Sequence, residues 1–366
     1  MYNDVFLDAY TDTLKQVLPD LNVTSFRRQF QTPEWETLEL KQRLRFLEEA
    51  TDQVLPSDFK KKIKALGQII DIARKKGAGD QNFLYIFLAD IITRHGLEHP
   101  EFSFPAIEMM TAFTSFEFAG RPFFIRHPEI MMAQMLVWAQ HPNPNVRRYA
   151  SEGCRPRLPW GQQLKMFVDD PTPIIPVLEL LKDDPSEYVR KSVANNLNDI
   201  SKDHPDLVLS LIKSWQKNAS DNTRKLLRQA SRTLLKKGNT QALALFGNHD
   251  HVTFVASDIT IQPSILNIGE DLIFEANLSS THPEDALFRL EYFIYYVKSN
   301  GTLSKKIFKI SDTQLAPGQS RTIVKKHRFA DLTTRKHFPG IHKISLVVNG
   351  KEGKTTDFKL KLSPDE

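Results

Sequence analysis

The chain repeats itself, and the repeat decides most of what it can fold into. His127-Pro128-Glu129-Ile130, running to Trp138, recurs 77 residues later as His204-Pro205-Asp206-Leu207, running to Trp215. The segments that follow recur at the same interval, Val146-Arg147-Arg148 and Thr223-Arg224-Lys225. A third unit lies between them, Asp184-Pro185-Ser186-Glu187-Tyr188-Val189-Arg190-Lys191, with Val189 43 residues beyond Val146 and 34 before Thr223. Each unit reads proline, short gap, basic pair, apolar helix. Paired helices of the HEAT type repeat at about 40–47 residues. One interval fits and the other is short, so the array is HEAT-like. A single helix pair cannot bury its own apolar face; neighbours must stack, and stacking bends the array into a concave surface. The expected fold is an all-α HEAT-like repeat solenoid over residues 1–250.

The texture changes near Gly247-Asn248-His249-Asp250. Before it, apolar residues recur at helical spacing: from Phe59 to Lys76, Ile63, Leu66, Ile69, Ile70 and Ile72 share one face and lysines take the other. After it come short alternating runs that read as strands, Asp258–Ile265, Asp271–Leu278, Glu291–Val297, Ser320–His327, His342–Val348 and Thr355–Leu362. Asn300-Gly301 and Asn349-Gly350 are hairpin signals, and Pro317-Gly318 is a third turn. This pattern predicts a small all-β immunoglobulin-like sandwich over residues 251–366. The one cysteine, Cys154, rules out a disulfide within the chain and reads as a small buried residue. Met1-Tyr2-Asn3-Asp4 is not a basic segment ahead of an apolar core, and no apolar run approaches the ~20 residues of a membrane helix. The expectation is a cytoplasmic protein with no membrane partner.

Each second helix opens on a basic pair: Arg147-Arg148, Arg190-Lys191, Arg224-Lys225. Cations at a helix start oppose the helix dipole, so stability alone would place acids there. As a ladder along one face they suit a phosphate backbone. The bland reading is pairing with acids of the neighbouring repeat. We assign that reading to the first residue of each pair and DNA contact to the second: Arg148, Lys191, Lys225. Arg155 and Arg157, in an irregular loop ending at Pro159-Trp160, join them. The sandwich adds Lys305-Lys306, Lys325-Lys326-His327-Arg328 and Arg335-Lys336-His337; a solvated strand edge is their bland reading. The net charge of +5 permits a polyanion partner without requiring one.

Most catalytic strings are missing. His95-Gly96-Leu97-Glu98-His99 matches an inverted zinc-protease string, but Gly96 and Pro100 make it a helix end, so no metal is expected. No phosphate-binding glycine loop is present, and no nucleotide cofactor is implied. What remains is a set of acids where acids are costly. Glu117 sits among Phe113, Phe116, Phe118, Phe123 and Phe124. Glu152 lies near the end of the helix from Val146, and Asp199 near the end of the helix from Val189. Trp160 closes the Arg155–Trp160 loop. A lone carboxylate in an aromatic run is usually paired or reaches water.

Three segments give these acids a context. They are Thr114-Ser115-Phe116-Glu117-Phe118-Ala119-Gly120-Arg121-Pro122-Phe123, the run from Asn145 through Glu152-Gly153-Cys154-Arg155-Pro156-Arg157-Leu158-Pro159-Trp160, and Tyr188 through Asn198-Asp199. Together they resemble the AlkC branch of the AlkC/AlkD HEAT-like DNA glycosylases, over roughly residues 1–250. Some members carry a C-terminal immunoglobulin-like domain, as this chain is expected to. The resemblance implies removal of 3-methyladenine and 3-methylcytosine from duplex DNA, without cofactor or metal, by a monomer acting at the nucleoid. Its functional positions fall on Glu117, Glu152, Trp160 and Asp199, all present, with Arg121 added to the DNA-contacting set. For the β-domain it implies a second DNA clamp through Lys325, Lys326 and Arg328.

The chemistry suits those residues. An N3-methylated base is cationic, so its glycosidic bond is already weakened and needs no general acid. Carboxylates can hold the oxocarbenium-like sugar and orient a water. Two rival readings stay open: a non-catalytic scaffold whose acids are ion-paired, and a binder of DNA structures with idle carboxylates.

Overall fold

The computed structural model describes residues 2–80, 82–246, 252–331 and 336–362. Gly247-Asn248-His249-Asp250 and Arg335 lie outside the described residues. The chain divides into two compact units, Met1–Val208 with Trp215–Ala230, and Leu209–Ser214 with Ser231–Glu366. Residues 231–246, on the helical side of the expected boundary, therefore cluster with the strands. Among the described residues, no helix is long and apolar enough to cross a membrane.

The first unit is helical, and its local signals are those of capped helices. Asp58 caps Phe59–Lys75 by accepting from the Lys61 amide at 2.9 Å. Leu66, Ile69 and Ile70 are buried as their spacing requires. Lys62 departs from that reading. Instead of the polar face, it is buried in an ion pair with Asp52, with His95 alongside. The helix Leu88–Gly96 ends before Pro100–Thr111 begins, so His95 and His99 sit on separate elements. Among the described residues no group of three or more His, Cys, Asp or Glu is arranged to hold a metal ion.

The repeat is visible in side-chain geometry. His127 donates from Nε2 to the Leu97 carbonyl at 2.7 Å, and its counterpart His204 to Val168 at 2.8 Å. Trp138 and Trp215 are both buried. Arg147 reaches back along its own loop to the carbonyls of His141 and Pro142, at 2.8 and 2.9 Å; Arg190 does the same to Asp184 and Pro185, at 2.6 and 2.9 Å. Arg147 also grips the Asp184 carboxylate of the next unit at 2.6 Å. The first residue of these two basic pairs is thus a loop clamp. Arg224 differs, pairing with exposed Asp221 at 2.8 Å. The helix Pro144–Glu152 packs on Glu187–Ile200, which packs on Asp221–Ala230.

Among the described residues the second unit holds nine strands: β1 (Phe254–Ala256), β2 (Thr260–Gln262), β3 (Ile265–Asn267), β4 (Asp271–Ser280), β5 (Ala286–Val297), β6 (Leu303–Leu315), β7 (Ser320–Arg328), β8 (Gly340–Val348) and β9 (Lys351–Lys361). One sheet runs β1-β4-β2 with β7 also on β4; the other runs β3-β9-β8-β5-β6. Leu272, Phe274, Phe288, Ile294, Ile323, Ile344 and Phe358 from both sheets form one core. Asn349-Gly350 turns β8 into β9 with φ of 50° and 78°, as an Asn-Gly hairpin requires. The expected strands fall on β2, β4, β5, β7, β8 and β9. The alternation does not reveal short β1 and β3, nor long β6. That last strand lies at a sheet edge and carries Lys305, Lys306, Lys309 and Asp312, which mask its period. Leu209, Leu234, Leu235, Ala242 and Leu243 form a separate apolar cluster in this unit.

The clamp geometry predicts unequal costs for equivalent arginines. Arg147→Met leaves a nearly buried Asp184 and two loop carbonyls without their donor. It should lose roughly 2–4 kcal/mol in urea unfolding. Arg224→Met, at the exposed pair, should unfold like wild type. Equal losses would refute the clamp.

Candidate active site

The segment after Pro100–Thr111 is shaped by packing. Phe116 is fully buried and meets Tyr149 edge-on, ring centroids 5.9 Å apart. A side chain at Gly120 would collide with the Tyr149 hydroxyl, at 1.9 Å from the added carbon. Arg121 follows and is fully enclosed. Its guanidinium donates to the carbonyls of Gly153, Arg155 and Pro156 at 3.2, 2.8 and 3.5 Å, which sets the shape of the next loop. Burial lowers its pKa to about 10, so it keeps its charge at neutral pH. The expectation of a phosphate contact at Arg121 is corrected: it has no surface to offer.

The three acids come together. Glu117 meets Arg148 at 3.0 Å, and Arg148 meets Glu152 at 3.5 Å. Arg155 joins Glu152 at 2.6 Å to Asp199 at 2.7 Å, and Lys202 binds the other Asp199 oxygen at 2.7 Å. Ser192 donates to the second oxygen of Glu152 at 2.6 Å. The result is a continuous chain of alternating charge from Glu117 to Lys202, in which three carboxylates balance three cations. All three acids are nearly buried, Asp199 to 2% exposure, whereas Lys202 is 38% exposed. Burial disfavours the charged guanidiniums, but Glu117 and Glu152 hold the Arg148 pKa above its ordinary value. Glu152 and Asp199 do the same for Arg155.

Two further expectations change as a result. Arg148 and Arg155, read from sequence as phosphate contacts, are enclosed between carboxylates. Arg148 also lies over the Tyr188 ring at 5.0 Å. Their fork geometry is already engaged. Other basic residues remain at the surface. Arg157 makes a two-pronged bond to Asp203, both at 2.9 Å, and is partly exposed. Lys191 is exposed and bonded to its helix neighbour Glu187, and Lys225 is exposed beside it in a shallow groove. On β7, Lys326 and Arg328 are exposed near Asp271, and Lys325 is half-buried. Lys202, Ser192 and Tyr188 belong to the chain yet were not singled out by sequence. Lys202 had a legible signal, lying three residues beyond Asp199.

Trp160 stands apart from the acids. It holds a left-handed backbone, φ 66°, uncommon outside glycine, and is 73% exposed. It lines a cleft of about 440 Å³ together with Phe118, Ala119 and Ser115. Glu117 opens instead on a small recess with Arg148 and Tyr188, which Ser115 also lines. The Ser115–Ala119 segment therefore separates the aromatic cleft from the charged chain. Cys154 is buried, its thiol pushed up to about 12 by burial, and is no nucleophile.

An enclosed chain of ion pairs on a helical repeat, ahead of a β-domain, has recognisable relatives. The model of the DNA alkylation repair enzyme family matches residues 108–234, which include every member of the chain. A model described as the C-terminal Ig-like domain of YhaZ matches residues 255–362. The uncharacterized protein YhaZ of Bacillus subtilis (strain 168) is 39% identical over 361 residues, 98% of each chain. The solved structure of Pseudomonas fluorescens alkylpurine DNA glycosylase AlkC, bound to DNA containing an abasic site analog, is 35% identical. It covers 97% of each chain with a TM-score of 0.88. The chain belongs to the DNA alkylation repair enzyme family, in the AlkC-type branch with an Ig-like C-terminal domain.

Because Arg155 serves two buried acids at once, its loss should couple to theirs. Arg155→Met and Asp199→Asn should each destabilise the fold. The double variant should fall short of their summed loss by about 1–3 kcal/mol in a urea double-mutant cycle. Strict additivity would show that the two groups do not act as a pair.

Proposed function

We propose that this protein is a monofunctional DNA glycosylase. It excises cationic N3-methylated bases, 3-methyladenine and 3-methylcytosine, from duplex DNA and so opens base excision repair, acting as a cytoplasmic, nucleoid-associated monomer. The observation that carries this reading is the convergence of Glu117, Glu152 and Asp199 in one preorganised chain. Family membership, and the likeness to an alkylpurine DNA glycosylase solved with abasic DNA, support it.

The cationic base leaves with the bonding electron pair and becomes neutral, so nothing need protonate it. What the reaction lacks is an anion beside the sugar as positive charge develops there. Carboxylates held in fixed geometry supply this without reorganising. In the free protein each carboxylate is neutralised by a cation. Lys202, at the exposed end of the chain, is the one able to turn outward to a DNA phosphate. That movement frees one Asp199 oxygen for the sugar cation. Glu152, held by Ser192 and Arg155, keeps a fixed field and orients the water, and Glu117 adds to the field. Trp160 stacks on the sugar or the cationic lesion, a contact worth ~0.5–2 kcal/mol. On a HEAT-like array the remaining phosphate contacts fall to Arg157, Lys191 and Lys225, and on the β-domain to Lys325, Lys326 and Arg328.

The scaffold reading draws support from one observation, that all three acids are ion-paired. Base release separates the two. Duplex carrying one 3-methyladenine, incubated with the protein and no added metal, should release the free base; none released would end the glycosylase reading. Asp199→Asn should lose excision, by about 10²-fold or more, while retaining affinity for an abasic-site mimic. Lys202→Met should instead weaken DNA binding. For the β-domain, replacing Lys325, Lys326 and Arg328 with Gln should lower the slope of log affinity against log salt, by about 0.9 for each phosphate no longer neutralised. An unchanged slope would assign that domain another task.

A further inference from the structure

The cleft beside Trp160 has no part in the charge chemistry above, yet it is built like a site. Its volume of about 440 Å³ falls in the range of small-molecule pockets. Leu40, Leu44, Phe83, Ile86, Phe118 and Trp160 make its walls predominantly apolar. Two carboxyl groups interrupt them, the exposed Asp90 and the enclosed Glu48. Glu48, on the helix Leu40–Val54, is only 3% exposed. One of its oxygens accepts from Arg94 at 2.5 Å, while the other, Oε1, is buried with no hydrogen-bond partner among the described residues. A buried acceptor left unmatched is a standing cost to the fold, and it is explained where a ligand brings the donor. Burial, partly offset by Arg94, pushes the Glu48 carboxyl up to about 7, so near neutrality it can either accept or donate. Besides Arg94, two exposed cations stand at the margin, Lys41 and Arg45, the latter bonded to Glu49.

Exposed cations, aromatic walls and an unmatched acceptor are the complements of a phosphate, a planar ring and an amino edge. We propose that this cleft is a nucleobase subsite, distinct from the carboxylate chain, in which an unstacked base lies against Trp160 and Phe118 and donates from its amino edge to Glu48 Oε1. The proposal rests on the glycosylase reading for the source of the base. Two sources share that chemistry: the base just liberated, and a nucleotide displaced from the bound strand.

Trp160 gives a direct probe. The other three tryptophans, Trp35, Trp138 and Trp215, are buried, so a dissolved quencher such as iodide reaches Trp160 selectively. Free 3-methyladenine added to the full chain should shield Trp160 from iodide. Leu44→Arg, which obstructs the cleft, and Glu48→Gln, which removes the carboxylate at nearly constant shape, should each raise the base concentration required by roughly tenfold. Neither residue belongs to the charge chain, so both variants should keep wild-type base excision on short incubation if the cleft takes the released base. Adding duplex with an abasic-site analogue distinguishes the sources, with free base then followed by equilibrium dialysis because bound DNA itself covers Trp160. Simultaneous binding of free base and DNA identifies the pocket as the exit site of the product, and mutual exclusion identifies a displaced strand nucleotide. Absence of shielding, or shielding that neither variant weakens, overturns the subsite. If excision by the wild-type protein is intact in that case, only the subsite fails. If excision is absent but shielding behaves as described, the glycosylase reading fails and the base-binding cleft stands.

Discussion

Burying a carboxylate without a cation is prohibitive, and Glu117, Glu152 and Asp199 are buried within one connected chain. The organisation of the helical unit around residues 117–202 follows from that constraint. Arg155 is its pivot, since one planar guanidinium can serve two carboxylates where an ammonium would hold one in defined geometry. For Arg155 to reach both Glu152 and Asp199, the chain must turn sharply after Glu152. Arg121 makes that turn possible by binding the carbonyls of Gly153, Arg155 and Pro156 from behind. A fully buried arginine thereby positions Arg155 between its two acids.

The same economy of charge runs along the repeat. Arg147 and Arg190 hold their own loops and, for Arg147, the next unit's Asp184. The second basic residue of each pair is then free to diverge. At Arg148 it turns into the acid chain, while at Lys191 and Lys225 it stays in solvent. One sequence pattern therefore yields an internal counter-ion at one end of the array and surface charge further along. A chain whose net charge is zero but whose outermost cation is exposed is poised differently from a bare cluster of acids. In the proposed function this is the cation that a polyanion draws away, leaving the chain anionic.

Much of this could be read from the residues. The internal repeat located the helix pairs, the Asn-Gly turns located hairpins, and the polar residues near helix ends located the acids. The resemblance then tied Glu117, Glu152, Trp160 and Asp199 together. What misled was local context. Arg155 looked free because it lies in an irregular loop, and its partner Asp199 is 44 residues away. Lys62 looked solvated because its neighbours are lysines, and its partner Asp52 is on another helix. β6 was hidden because an edge strand needs only one packed face, and its charges obscure the alternation.

The amino-acid sequence by itself determined most of the elements, the order of the two regions and the kinds of side chain at each repeat position. These follow from spacing and backbone chemistry, which act over a few residues. The tertiary structure alone decided which charges cancel, that Arg121 is wholly internal, and that Trp160 faces an apolar cleft while Glu117 faces another recess across the same short segment. Those outcomes depend on side chains brought together from distant parts of the chain, and on how little water remains between them. No local pattern encodes that distance.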